Sequence, residues 1–342
     1  LAALRLEDPQ RSPALASWHP PFAVVHALLG AMKLITSSEQ PVPEDARPFL
    51  EMPRGAALAW LVRGWRDSQL FNELRLMPGI LCEGSWHNDP WIARERIIAL
   101  LSEIPEKTWW NLDSFIKAVY EREPDFQRPA GDFDTWLVRD AHSGESLIGV
   151  QHWGDVDGAL LRFLITGTMH WLGLIDLAAP AEGKAVSAFR FSEWFDRLML
   201  GQPYPDAPEE DQPIEIKSEG ILFASPLSPR LARYQISRFC LWIDESHGQY
   251  TYQLTPASLK AAAQQGLTIA HLETLLKKYA QTIPPTLVQA LRQWDQHAGQ
   301  VRIHPGVILK VDTPHILQAL RDSPAGRFIE EPLGPTAAII HP

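Results

Sequence analysis

Residues 249–311 read QYTYQLTPASLKAAAQQGLTIAHLETLLKKYAQTIPPTLVQALRQWDQHAGQVRIHPGVILKV, and this stretch decides the fold class. Gln249–Leu254 alternates around Tyr250, Tyr252 and Leu254, the period-2 pattern of a strand with one buried face. Thr255-Pro256 starts a helix: a hydroxyl accepts from the first free amides, and proline at the first helical position has no amide to leave unpaired. Gly266 stops that helix and Thr268 caps the next, in which Ile269, Leu272, Leu275, Leu276 and Tyr279 form one apolar stripe. Pro284-Pro285 breaks the second helix. The third runs from about Thr286 to His297, with Leu287, Leu291 and Trp294 inward and Gly299 as its stop. Val301–Ile303 and Val307–Val311 are expected to pair around His304-Pro305-Gly306. Three short helices and a two-stranded wing is the order of a winged helix-turn-helix, in which the third helix is offered to nucleic acid.

Outward from this stretch the chain divides by composition. Residues 1–88 read as a helical N-terminal region, with Phe22–Ile35 and Gly55–Leu70 as helices and 76–89 rich in turns. Residues 89–200 read as a second winged-helix-like domain. Its helices are Trp91–Ile104, Asn111–Glu121 and Val156–Met169, the last capped by Asp155. Its strands are Phe133–Arg139, Leu172–Leu177 and Ala185–Phe191, and a helix follows at Ser192–Leu200. Residues 201–213 form an acidic, proline-rich linker. Residues 214–342 begin with a hairpin at Ile214–Ala224, a basic segment at Leu227–Tyr234 and a strand at Ile236–Ile243. They close with a helix from Thr313-Pro314 to Arg321 and a strand at Ala337–Ile340. The expected class is α+β, multi-domain, with winged-helix-like units and small antiparallel hairpins.

The residues of the opening stretch also carry a resemblance. YQLTPASLKAAAQQGLT, the leucine-rich helix, IPPTLVQALRQW and the apolar hairpin resemble the helicase-associated domain at the N-terminus of XPB-type helicases, which stand-alone bacterial and archaeal winged-helix proteins also carry. The resemblance covers residues from about Ile214 onward. It implies a non-catalytic module that positions nucleic acid or a partner subunit, such as a helicase, and it implies no ATPase. WWNLDSFIKAVYEREPDFQRP, GALLRFLITGTMHWLGLIDLA and AFRFSEWF are similar to the region preceding that domain in the stand-alone proteins.

Charge bounds the partners. The net charge of −10 argues against a protein that coats nucleic acid without selection. The acidity is uneven. Pro205–Gly220 holds Asp206, Glu209, Glu210, Asp211, Glu215 and Glu219 against Lys217 alone, whereas 221–342 has an excess of Lys and Arg. Two cysteines, Cys82 and Cys240, make neither a disulfide framework nor a metal cluster, so a reducing cytoplasm is the expected location. The longest apolar run, Ala159–Ala179, contains Arg162, His170 and Asp176 and reads as core, not as a membrane span. Leu1 in place of Met, and an ending in strand-like residues, read as a piece of a longer protein or as a chain that lacks a disordered extension.

No enzymatic constellation is complete. CLWIDESH at 240–247 looks like the Asp-Glu box of a helicase motor, but that chemistry needs a phosphate loop. The only Gly-Lys, Gly183-Lys184, is followed by Ala185, so Asp244–Gly248 reads as a polar hairpin turn. His271-x-Glu273 has no P-C-x-x-C after it, and no H-E-x-x-H or G-x-S-x-G occurs. No catalytic residue, metal site or cofactor is expected. The best nucleic-acid candidates are Gln289, Arg292, Gln293 and Gln296 on the third helix, able to read base edges, with Arg302 and Lys310 on the wing for phosphates. The same Gln and Arg can instead simply solubilise a surface helix. Arg230, Arg233 and Arg238 make a basic run with two readings: a phosphate strip, or partners for the acidic linker. Two function classes remain: a non-enzymatic DNA-binding helicase-associated module in repair or transcription, and a protein–protein scaffold that never touches nucleic acid.

Overall fold

The structure, a computed structural model, describes residues 21–128, 131–246, 248–297 and 307–340. It is α+β, built from short helices and four small antiparallel sheets among the described residues. The chain forms two compact units, one ending at Ile283 and one beginning at Pro284.

The first unit starts with helices α1 (Phe22–Ala31), α2 (Pro43–Glu51), α3 (Arg54–Asp67) and α4 (Glu73–Leu76). Strand β1 (Ile80–Cys82) follows, within the stretch read as turns. Helix α5 (Pro90–Leu101) begins where the sequence places it: the Asp89 carboxylate accepts from the amides of Trp91 and Ile92, and Pro90 stands at the first helical position. A two-residue strand, β2 (Trp110–Asn111), leads into α6 (Leu112–Arg122), capped by Asn111. The expected strand at 133–139 reduces to β3 (Val138–Asp140), paired with β1.

The helix expected at 156–169 is longer and less regular than its spacing suggests. It starts at Val150 with a 3₁₀ turn, passes through a π stretch at Gly154–Gly158 and through α7 (Ala159–Phe163), and returns to π geometry at Leu164–Met169. Asp155 is therefore inside the run and not its cap; its carboxylate stands 3.3 Å from His152 Nδ1 instead. Gly173, at φ 78°, ends the run, so strand β4 is Ile175–Ala178, and β5 is Ala188–Phe191. The sheet order is β2-β5-β4. Leu160, Leu161, Leu164, Ile165 and Met169 lie at the centre of one apolar core that extends from Val24 to Tyr204.

Two charged pairs are sunk in that core. Arg94 and Glu73 meet through two hydrogen bonds of 2.8 Å each, and Trp65 Nε1 donates to the same carboxylate at 2.8 Å. Arg94 also donates to the carbonyls of Arg66, Ser68 and Phe71. Asp157, in the first π stretch, accepts from Arg128 at 2.9 and 3.1 Å and from Gln127 at 2.7 Å. Both pairs are bidentate, the geometry that best offsets the cost of taking two charges out of water.

A short helix, α8 (Phe195–Met199), and the linker lead to a four-stranded sheet of order β6-β7-β9-β8. Its strands are β6 (Glu215–Ile216), β7 (Ile221–Ala224), β8 (Leu241–Ser246) and β9 (Gln249–Gln253). Between β7 and β8 the structure corrects two expectations. The basic segment continues into a helix, α9 (Arg230–Ser237), and the strand begins only at Leu241, because Ile236, Phe239 and Cys240 turn inward at the helix end. The hairpin turn is also tighter than 244–248. β8 runs to Ser246, with an irregularity in register between Trp242 and Asp244, and Gly248 at φ 70° supplies the positive angle a two-residue turn demands. Helices α10 (Pro256–Gln264) and α11 (Ile269–Tyr279) complete the unit. Each opens with a reciprocal cap: Thr255 with Ser258, and Thr268 with His271.

The second unit holds α12 (Pro285–His297), β10 (Val307–Lys310), α13 (Pro314–Arg321), β11 (Ile329–Gly334) and β12 (Ala337–Ile340). The sheet order is β10-β12-β11. The described partner of Val307–Lys310 is thus the C-terminal strand, in register Val307 with Ile340, and β11 adds a hairpin that alternation did not reveal. The expected wing strand Val301–Ile303 lies outside the described residues.

Candidate nucleic-acid interface

Helix α12 is amphipathic in the way its spacing predicts. Leu287 and Leu291 are buried, and Val288, Ala290 and Trp294 are half-buried. Thr286, Gln289, Arg292 and Gln293 are exposed along the opposite side, at helical spacings of three, three and one. Three candidate residues, Gln289, Arg292 and Gln293, are thereby brought onto one surface. The side chain of Gln296 and the whole of Arg302 lie outside the described residues. Lys310 ends β10 and is exposed.

The Arg230–Arg238 run resolves differently. Arg230 is buried, and its Nε donates to Glu210 at 2.8 Å. Arg233 is partly covered, with Nη2 4.0 Å from the same carboxylate and its guanidinium over the Tyr250 ring. Of the two readings, the pairing with the acidic linker describes these residues, and Arg230 is withdrawn from any phosphate strip at the surface. Arg238 ends α9 half-exposed and has no ion pair among the described residues. A third cation at Glu210, Arg54, comes from the far end of the chain; its Nη2 lies 3.0 Å from Oε1. Burial pulls the Arg54 guanidinium below its ordinary value, against the pull of Glu210. Nothing in the sequence pointed to Arg54 or singled out Glu210, because the contact joins positions more than 150 residues apart.

The unit boundary also relocates the basic excess. From Pro284 onward, Arg292, Arg302, Lys310, Arg321 and Arg327 balance Asp295, Asp312, Asp322, Glu330 and Glu331. The excess of the C-terminal part therefore sits between 221 and 283. There Arg230 and Arg233 face Glu210, and Lys277 lies 3.7 Å from Glu273, which leaves Arg238, Lys260 and Lys278 against Asp244 and Glu245.

The motif that looks like a motor falls on a hairpin strand. Asp244 and Glu245 lie in β8, opposite Thr251 and Tyr250 of β9. His271, the first residue of the H-x-E string, spends its Nδ1 accepting from the Thr268 amide. Among the described residues, no group of three or more His, Cys, Asp and Glu is arranged to hold a metal ion, and no helix is long and apolar enough to cross a membrane. One feature went unread in the sequence: β8 is an edge strand whose Leu241, Trp242 and Ile243 are each about half exposed.

Residues 220–330, about a third of the chain, match the family model described as helicase conserved C-terminal domain. No curated protein matches the chain. The matched span begins at the turn before β7 and ends within β11, so it takes in the edge strand, α9 and α12. This part of the chain is helicase-related, and a helicase-type domain implies nucleic-acid or protein partners.

Proposed function

We propose that the chain is a non-enzymatic, DNA-contacting module of the helicase-associated type found in XPB-like helicases, acting in repair or transcription. The family match over 220–330 carries this reading. Within the match, α12 presents glutamine and arginine side by side, the residue types that pair bidentately with adenine and guanine edges. The earlier domain adds support. The order α5, β2, α6, helical run, β4, β5, with sheet order β2-β5-β4, supports the winged-helix reading of that region. Its third helix is sunk in the core, so α12 is the reading element. The non-enzymatic part of the reading rests on sequence: these 342 residues contain no phosphate loop to hold a nucleotide beside Asp244-Glu245.

The test is fluorescence anisotropy of labelled single-stranded and duplex DNA with the full chain over a salt series. With two or three cations reaching phosphates, the logarithm of the binding constant should fall with log salt at a slope of about −2 to −3. Arg292→Ala/Gln293→Ala should weaken binding about tenfold or more, the loss of one bidentate base contact. No binding of either DNA at low salt would overturn the proposal.

A second reading, a protein–protein scaffold, is favoured by the exposed apolar edge strand together with the acidic charge. A chain that binds neither DNA at low salt but holds a protein partner, and loses that partner in Trp242→Ser/Ile243→Ser, would decide for it.

A further inference from the structure

Glu210 is a single carboxylate among three guanidinium groups. Besides the contacts already described, Arg54 donates to the Pro226 carbonyl and Arg230 to that of Met52. These bonds do not exhaust the donors. Arg54 Nε and Nη1, Arg230 Nη1 and Arg233 Nε are all buried without a partner among the described residues. The side chains of Arg54, Arg230 and Arg233 are 0, 8 and 14% exposed, and that of Glu210 is 10% exposed. Arginine keeps its proton under all physiological conditions, so the cluster cannot discharge itself as a buried lysine or histidine does. Three fixed positive charges therefore face one negative charge out of water, a balance that native folds correct with a counter-ion. The rings of Phe49 and Tyr250, 5.3 and 5.0 Å from Arg230 and Arg233, soften the field without adding charge.

Water can take up idle N–H groups but not net charge. A halide supplies charge but one centre only. An oxyanion supplies both: several acceptor oxygens about one centre, matched to guanidinium forks from different directions. We propose that Arg54, Arg230 and Arg233 form a binding site for a small inorganic oxyanion of the phosphate class, seated beside Glu210. Arg233 and Glu210, the least covered members, mark the side of entry. Arg54, with no exposure at all, lies deepest: the side chains about it must give way to admit even a free ion, and a phosphodiester flanked by two sugars is excluded. Since Arg54 belongs to α3 and Arg230 to α9, the bound ion ties the N-terminal helices to the helicase-related part of the first unit.

The test is thermal melting of the full chain at constant ionic strength, with inorganic phosphate replacing chloride. The melting temperature should rise and saturate, as for a ligand that binds only the folded state. Sulfate should act alike, and a 5′-phosphorylated oligonucleotide should not compete. Arg233→Met, at the rim, should move the half-saturating phosphate concentration up about tenfold or more, and Glu210→Gln should move it down, because the competing carboxylate is gone. Equal melting in phosphate and chloride would overturn the site, as would a full phosphate response in Arg233→Met, which would leave only an adventitious surface effect. Phosphorus NMR of inorganic phosphate with the unaltered chain decides the case where a variant fails to fold. Exchange broadening supports the site, and an unbroadened line refutes it.

Discussion

Removing Glu73 should leave a bare charge in the core. The Arg94 guanidinium is fully buried and gives two of its hydrogen bonds to Glu73 and the others to three carbonyls. In Glu73→Met the volume is roughly kept but the counter-charge is lost. Breaking a buried pair in this way costs about 3–5 kcal/mol. The carbonyls of Arg66, Ser68 and Phe71 remain as partial compensation, so the lower end, about 3 kcal/mol, is expected. For a unit of this size the unfolding entropy is on the order of 0.6 kcal/mol per degree, which makes the drop in melting temperature about 5 °C. Arg94→Met in the same background should restore much of the loss, because an apolar pair of similar volume carries no desolvation penalty. The coupling is read from a double-mutant cycle in urea, followed by tryptophan fluorescence, to which Trp65, bonded to the same carboxylate, is placed to respond. If Glu73→Met and Arg94→Met each cost less than about 1 kcal/mol, or if the double variant loses the full sum of the two, the ion pair does not have this role.

Other outcomes follow from single residues. Burial pushes the Cys240 thiol up to about 12, so a thiol reagent should modify it in the native state only at the rate of local opening. Asp140 accepts from the amides of Ser143 and His142 and from the Ser143 hydroxyl, which hold its carboxyl below the ordinary carboxylate value. Its contribution to stability is therefore complete above the unfolded value and is lost as pH falls through the lowered one; an NMR titration should show the depression, and Ser143→Ala should diminish it. A Cβ on Gly326 would stand 2.2 Å from the Arg321 carbonyl oxygen, so Gly326→Ala should destabilise the second unit by about 1–3 kcal/mol, measurable by hydrogen exchange in β10–β12.

What could be read from the sequence was what neighbours along the chain decide. The caps at Thr255 and Thr268 and the stripe Leu272, Leu275, Leu276 act within one or two turns, and each is found where its letters place it. So are the exposed Gln289, Arg292 and Gln293, because Leu287 and Leu291 fix which side of α12 is buried. Elements whose partners are distant escaped. β2 has two residues, too few to alternate, and exists because β5 pairs with it. β11 pairs with β12 through two register shifts that blur any period. α9 has only eight residues and no side-chain cap, so its basic letters read as a segment without form. Arg230 looked like a surface cation because a linear chain does not show Glu210 and Phe49 closing over it.

The helical run from Val150 also limits where its own segment can change length. A π turn holds one more residue than the α turn it replaces, so each of the two π stretches displaces the side-chain sequence by about 100° around the axis. Residues 164–175 are buried without interruption, whereas Arg162, just before them, is exposed and bonded to Asp113. Deleting one residue from Leu164–Met169 would return that turn to α geometry and leave the faces on either side of it in place. Deleting one from Ala159–Phe163, an α turn with no residue to spare, would instead swing everything before it by about 100°, carrying Leu161 into the exposed place of Arg162. Descendants of this sequence can thus lose a residue at the π stretches far more freely than between them.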